Sequence, residues 1–386
     1  MKSVGIIAEY NPFHNGHLYH LNEIKKLYPN HTIVLILSPN FCQRGEPSII
    51  NKWDKTTIAK KAGIDLIIEL PYVFATEAAD VFAYGSTTLL EHLKVEKVVF
   101  GSEENDIKKI ETIVDCQLNN DQFDILSKIY MKMGYNYPTA LSKALEDLTN
   151  NKITLPNDLL GISYIKAIKK NNYNIKAASI KRTTNYHSKE IEGPTTSATS
   201  IRQSLIKKED IKATVPEYTL PYLKENLHTQ EKYFKFLKFK IMSESNINIY
   251  QTVDEGLGDK IKKEIIKSTS YEDLIQRVKS KRYTYNKINR MLCHILCNFT
   301  KEQKKQCKEI EYIRVLGFTK KGQDYLNKVK KDVEIPIITN YSTLKDNLAL
   351  QIEFQSTCAY ASILDEDKKK ELIMMEYINH PYKEKI

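Results

Sequence analysis

Nowhere in the 386 residues is there a run of about 18 apolar residues, so no transmembrane helix is expected. Cysteine is sparse. The six residues, Cys42, Cys116, Cys293, Cys297, Cys307 and Cys358, include no Cys-x-x-Cys pair. Such scatter fits reduced thiols in a cytoplasmic protein better than disulfides or zinc, and no metal site is expected. Cys293, His294 and Cys297 invite a metal reading, but an apolar stretch carries them and they read first as the buried face of a helix. The opening strand–helix unit contains neither Gly-x-x-x-x-Gly-Lys-Ser/Thr nor Gly-x-Gly-x-x-Gly, which excludes a P-loop or dinucleotide fingerprint there. No internal repeat and no long low-complexity linker are visible. Met1-Lys2-Ser3 leads straight into an apolar strand, so a signal peptide is not expected.

What is present begins with size and charge. The chain is long enough for two domains and a substantial core, and its 41% hydrophobic content is that of a globular protein. Lys and Arg number 58 against 48 Asp and Glu. The first 200 residues carry 23 basic and 22 acidic side chains; the remainder carries 35 and 26. The excess in the second half suggests a polyanionic partner, with nucleic acid the first candidate. A Lys-, Asn- and Ile-rich compositional style is the competing explanation.

The most informative stretch is Val4-Gly5-Ile6-Ile7-Ala8-Glu9-Tyr10-Asn11-Pro12-Phe13-His14-Asn15-Gly16-His17. An apolar run, a polar turn and Leu18, Leu21, Ile24 and Leu27 at helical spacing read as strand, loop and helix. The free N–H groups and dipole of a helix start favour phosphate. Gly16 lets backbone approach a ligand, and the imidazoles of His14 and His17 can donate to phosphate oxygens. Surface histidines beside a helix cap are the plainer alternative.

Strand and helix patterns then alternate through residue 180. Strands are expected at Thr32–Ser38, Ile64–Leu70, Lys97–Phe100 and Ile175–Ala178, with helices at Trp53–Ala62, Ala78–Leu93, 106–150 and Leu160–Lys169. This succession predicts an α/β, Rossmann-like doubly wound parallel sheet. Ligands in such sheets sit beyond the carboxyl ends of the strands. Residues 205–310 read as mostly helical. Ile313–Phe318, Gly322–Val329 and Ile335–Thr339 hint at a small α/β element inside the basic second half, and the tail from Ala361 reads as a helix with a solvated end.

Further candidates lie along this frame. Gly101, at a strand end, would let a ribose or base lie on the backbone, or is a turn glycine. Asn157 falls at a helix start, where it could cap the helix or bond an adenine edge. Lys181-Arg182 follows the last strand, and Arg182 could clamp a phosphate. Phe41 could stack on a base. Ser280-Lys281-Arg282-Tyr283-Thr284-Tyr285-Asn286-Lys287-Ile288-Asn289-Arg290 mixes cations with aromatics, as unpaired RNA requires. Arg282, Asn286 and Asn289 would share one helix side, and Lys281, Arg282, Tyr283, Lys287 and Arg290 are its nucleic-acid-contact candidates. A basic amphipathic helix facing water is the alternative.

His14-Asn15-Gly16-His17 resembles the HxGH signature of the nucleotidyltransferase superfamily. The wider stretch from Gly5 to His20, with Phe41-Cys42-Gln43-Arg44-Gly45-Glu46-Pro47 and Asn51-Lys52-Trp53, resembles the bacterial tRNA(Met) cytidine acetate ligases. Thr196-Ser197-Ala198-Thr199-Ser200-Ile201-Arg202 is similar to the superfamily's ISSTxIR motif, with Ala198 in place of a Ser, and Pro39 stands where the family's loop is expected to carry Gly. The resemblance implies a nucleotidyltransferase-type ATP-binding catalytic domain over 1–204 and a basic tRNA-binding domain over 205–386. It implies His14 and His17 as catalytic. As ATP contacts it implies Ile7, Ala8, Glu9, Tyr10, Asn11, Pro12, Phe13, His14, Asn15, Gly16, His17, Leu18, Tyr19, His20, Gly101, Asn157, Arg182, Thr199 and Arg202. The implied activity joins acetate to the wobble cytidine of elongator tRNA(Met) through acetyl-adenylate, with ATP as substrate and Mg2+ held mainly by phosphates. An adenylyltransferase acting on a small phosphate ester, or a non-catalytic tRNA- and nucleotide-binding protein, are the rival readings.

Overall fold

A computed structural model describes residues 1–135, 137–151, 155–182, 196–254, 256–280 and 283–378. Its centre is a sheet of seven strands: β1 (Ser3–Ala8), β2 (Thr32–Leu37), β3 (Leu66–Glu69), β4 (Lys97–Ser102), β5 (Lys176–Lys181), β6 (Ile313–Phe318) and β7 (Ile337–Ile338). They lie in the order β5-β4-β1-β2-β3-β6-β7. β1 pairs with β2 in parallel, from Ser3 opposite Thr32 to Ala8 opposite Leu37. Covered on both faces, β2 is buried throughout, which is why it reads as an unbroken apolar run. Strand order reverses at β1, so a crevice opens where β1 and β4 part company at their carboxyl ends. Close packing sets that edge: a Cβ on Gly5 would lie 2.7 Å from Leu90 in the Ala79–His92 helix.

The strands expected at Ile313–Phe318 and Ile335–Thr339 form, the second only as the two residues of β7. They make no separate sheet. β6 runs antiparallel to β3, placing Leu66 opposite Phe318. An apolar β3 left as an edge would offer unpaired backbone groups to other chains, and β6 covers them. Between the sheet segments, the helices Gln230–Ser243, Leu257–Lys267, Tyr271–Val278 and Tyr285–Leu296 close around their own core of Leu237, Ile241, Leu274 and Met291.

The tail helix opens with a solvated end, as its charges suggest, with Asp365, Glu366 and Asp367 exposed, but its far end turns inward. Glu376, in the Glu366–Ile378 helix, is fully buried. Its carboxylate lies 2.9 Å from Lys52 Nζ and 2.6 Å from Arg314 Nη1. Lys52 also meets Glu69 at 2.6 Å and Glu353 at 3.1 Å, and Arg314 meets Glu69 at 3.3 Å. All five side chains are sealed from water. Three carboxyls face two cations, and burial with the nearby Glu69 pushes Glu353 up to about 7. The network ties helix α2 (Lys52–Lys61), β3, β6 and the helices Leu348–Ala361 and Glu366–Ile378 together.

Candidate active site

The first link is a helix cap made of histidine. Helix α1 (Asn15–Leu27) has His14 as its N-cap, with Nδ1 accepting the Gly16 N–H at 3.0 Å. His17 Nδ1 accepts the His14 N–H at 3.3 Å, completing a reciprocal box. The rings stack with centroids 3.8 Å apart. Because each Nδ1 accepts, each neutral ring carries its proton on Nε2, which is therefore a donor. Burial lowers the His14 pKa to about 3, aided by Arg182 and Arg202. Burial and His14 hold His17 well below the ordinary range. Both are neutral donors at pH 7. His20 is pushed down to about 4 by burial and Arg182, and its buried Nε2 has no hydrogen-bond partner among the described residues.

A cleft of about 250 Å³ opens over this cap. Of the expected ATP residues, Ile7, Ala8, Glu9, Tyr10, Asn11, His14, Gly16, His17, Tyr19, His20, Gly101, Asn157, Arg182, Thr199 and Arg202 line it. Pro12, Phe13, Asn15 and Leu18 are outside the lining. Phe13 is buried and packs edge-on against Tyr10 and obliquely beneath His17. Asn15 donates from Nδ2 to the Ala213 carbonyl at 2.8 Å, so it anchors the helix start to a distant loop.

The cations arrive from two later segments. Arg182, just past β5, donates its N–H to Ser102 O at 2.9 Å, and its Cγ lies 3.2 Å from where a Gly101 Cβ would stand. Gly101 is thus a close approach of strand end to arginine stem. Ser197 caps the Ala198–Lys207 helix, accepting the Ser200 N–H at 3.1 Å. One turn on, Arg202 donates to Asn11 O at 2.8 Å and to Glu46 at 2.8 Å.

The loop after β2 forms the opposite wall, with Gln43, Arg44 and Glu46 in the lining. Glu9 accepts the Gln43 N–H at 2.6 Å, while Asn11 accepts the Ile49 N–H at 2.7 Å. Beneath it Lys55, fully buried, donates to the carbonyls of Glu9, Ser38 and Pro39 at 3.0, 2.8 and 2.7 Å. One ammonium thus ties the ends of β1 and β2. Phe41 does not offer a stacking face: it is buried against Tyr72 and Tyr360. Cys293 and Cys297 are buried as well, and His294 is within 3.0 Å of the Tyr72 hydroxyl, so this trio belongs to the core.

Asn157 is not the cap of its helix. It is the second residue of Pro156–Lys170, and Glu103 reaches across from the end of β4 to accept its backbone and side-chain N–H groups. Sequence reasoning missed Glu103 and the buried Asp158. Their only signal was two acids beside already chosen residues, and pairing across 54 positions has no local signature.

Of the tRNA candidates, Lys281 and Arg282 lie outside the described residues. Lys287 Nζ sits 5.0 Å over the Tyr283 ring. Asn289 is fully buried, not surface-facing: it donates to Arg44 O at 2.9 Å and accepts from Gln230 at 2.6 Å. Arg290 is half-buried where its backbone meets Gly45, whose φ of 79° and absent Cβ permit an approach that alanine would block at 2.5 Å. The Tyr285–Leu296 helix therefore braces the cleft wall.

A family model described as HIGH Nucleotidyl Transferase matches residues 1–374. The tRNA(Met) cytidine acetate ligase of Geobacillus sp. (strain WCH70) is 39% identical, over 99% of each chain. That of Bacillus subtilis (strain 168) is 35% identical, over 99% of this chain and 97% of its own. The crystal structure of apo Thermotoga maritima TmcAL superimposes with a TM-score of 0.91 at 30% identity, covering 99% of both chains. The same protein bound with alpha-thio ATP gives 0.87, over 96% of both. The chain belongs to the tRNA(Met) cytidine acetate ligase family of HIGH nucleotidyl transferases.

Proposed function

We propose that this protein activates acetate with ATP and transfers the acetyl group to the exocyclic amine of the wobble cytidine of elongator tRNA(Met). The observation carrying the reading is the capped start of α1, where two neutral imidazoles present Nε2–H donors to a cleft that Arg182 and Arg202 also line. An acetate oxygen attacks the α-phosphorus, the bond to the β-phosphate oxygen breaks, and pyrophosphate leaves. His14 and His17 donate to the phosphoryl oxygens as charge grows on them, and the two arginines hold the departing pyrophosphate. The cytidine amine then attacks the acetyl carbonyl, loses a proton and expels AMP. An anticodon base is single-stranded and reaches such a cleft at modest cost.

Mg2+ fits this site only as a companion of the triphosphate. The wall carboxylates are engaged, Glu9 by the Gln43 N–H and Glu46 by Arg202, and no group of three or more His, Cys, Asp or Glu suited to a metal occurs among the described residues. Phosphates would supply its ligands, and the ion would neutralise their charge.

The basic segment around Lys281, Arg282, Tyr283, Lys287 and Arg290 is the proposed tRNA contact. Its support is position, because the helix it opens touches the cleft wall at Arg44 and Gly45. The division into catalytic residues 1–204 and tRNA-binding residues 205–386 is part of the same reading, with β6 and β7 returning to the catalytic sheet. No helix among the described residues is long and apolar enough to cross a membrane; a cytoplasmic location is proposed from the substrate. The test is exchange of labelled pyrophosphate into ATP. Acetate-dependent exchange that disappears in His14→Ala is expected. No exchange with acetate, with or without tRNA, overturns the reading.

A further inference from the structure

The geometry points to Glu103 as the residue that makes the nucleotide site read a purine 6-amino group; the inference rests on the proposed binding of ATP in this cleft. The Pro156–Lys170 helix begins without a side-chain cap, since Leu155 holds the cap position. Glu103 fills that role from the end of β4. Its carboxylate accepts the N–H of Asn157 at 3.3 Å, the N–H of Asp158 at 3.1 Å and Asn157 Nδ2 at 2.5 Å. The return half of the clamp is Asp158, fully buried, which accepts from Ser102 Oγ at 2.5 Å and from the N–H groups of Glu103 and Glu104 at 3.2 Å each. Strand end and helix start are thus bound by two carboxylates facing opposite ways.

This fixes which way round the Asn157 amide stands. A carboxylate only accepts, so the NH2 end must face Glu103. Turning the amide over would set its oxygen against the carboxylate and lose that bond. The carbonyl end, Oδ1, is left without a hydrogen-bond partner among the described residues, in a side chain that lines the cleft beside Gly101 and Leu160. A fixed acceptor pairs with an amino group and opposes an oxo group. Adenine carries 6-NH2; hypoxanthine and guanine carry 6-oxo. Glu103 therefore sets specificity as a positioning residue, without touching the base.

The test is the affinity of the full chain for ATP, inosine triphosphate and purine riboside triphosphate, measured by calorimetry. The wild type is expected to bind ATP about 10- to 100-fold more tightly than inosine triphosphate. Purine riboside triphosphate, with no 6-substituent, should fall between them. In Glu103→Gln the partner can either donate or accept, so the Asn157 amide is released to turn. The ATP preference over inosine triphosphate should then shrink at least about tenfold. A cap that served only stability would weaken both nucleotides alike and leave the ratio unchanged, and that result overturns the inference. Should the variant not fold, the three-nucleotide order in the wild type decides: equal binding of ATP and inosine triphosphate refutes the role of Glu103. Failure of the wild type to bind any of the three overturns the underlying ATP reading and this inference with it.

Discussion

The protonation state of the histidine pair gives the sharpest mechanistic test. Were His14 and His17 to act as imidazolium ions, turnover would fall with rising pH. The structure argues the opposite. Burial drives His14 to about 3 and, with His14 beside it, holds His17 well below its ordinary value, and each Nδ1 is already an acceptor from backbone. A bound triphosphate favours the charged form, but about 2.7 kcal/mol of such pairing would still leave His14 below its ordinary value. Acetyl-adenylate formation at saturating substrates should therefore show no falling limb between about pH 6.5 and 8.5 that traces to these rings. Replacing His17 by Phe keeps a ring and removes the donor. The cost of one preorganised donor to a developing oxyanion is about 10²- to 10³-fold in kcat, or roughly 3–4 kcal/mol. The double variant with His14→Phe should lose less than the product of the two losses, because the rings cap one helix together. The assay is acetate-dependent pyrophosphate exchange across pH. A limb descending on the alkaline side with a pKa near 6.5–7.5 that vanishes in His17→Phe refutes neutral donation, as does a loss of less than tenfold in that variant.

Three other outcomes can be measured. Lys55→Met removes the donor to three carbonyls at the ends of β1 and β2; thermal unfolding should show a loss of at least about 3 kcal/mol, with a raised KM for ATP. Glu353 is raised to about 7 by burial and Glu69, so its contribution to stability is fully present below its unfolded pKa near 4.5 and is lost as pH rises through 7. Glu353→Gln should accordingly gain on the wild type as pH rises from about 4.5 to 7 and keep that lead above it, by on the order of 3 kcal/mol, read as the difference between two melting curves at each pH. Arg282→Ala with Lys287→Ala should leave acetyl-adenylate formation within about twofold while tRNA acetylation drops at least about tenfold, since phosphate contacts dominate RNA affinity.

Much of the first 200 residues was readable because its signals are local. The βαβ alternation follows from apolar runs and helical periodicity, and the start of α1 from His-x-Gly-His after a buried strand. What escaped involves partners far apart in the chain. Nothing near Ile313–Phe318 says that it will lie antiparallel to β3. Glu376 carries no local sign of its ion-pair network, because the Lys52 it meets stands 324 positions away. Phe41 and Asn289 have the composition of ligand contacts, and packing against Tyr360 and Gln230 turns both inward. Asn157 was legible as a candidate but not as an oriented one, because Glu103 holds its amide from 54 positions away.

The route of one oxygen atom tests the chemistry most directly. Incubate the protein with ATP, tRNA and acetate labelled with 18O in both carboxylate positions, then weigh the AMP and pyrophosphate. Attack of acetate on the α-phosphorus over the His14–His17 cap should give AMP carrying one heavy oxygen and pyrophosphate carrying none. Unlabelled AMP, or label in a terminal phosphate, would contradict it.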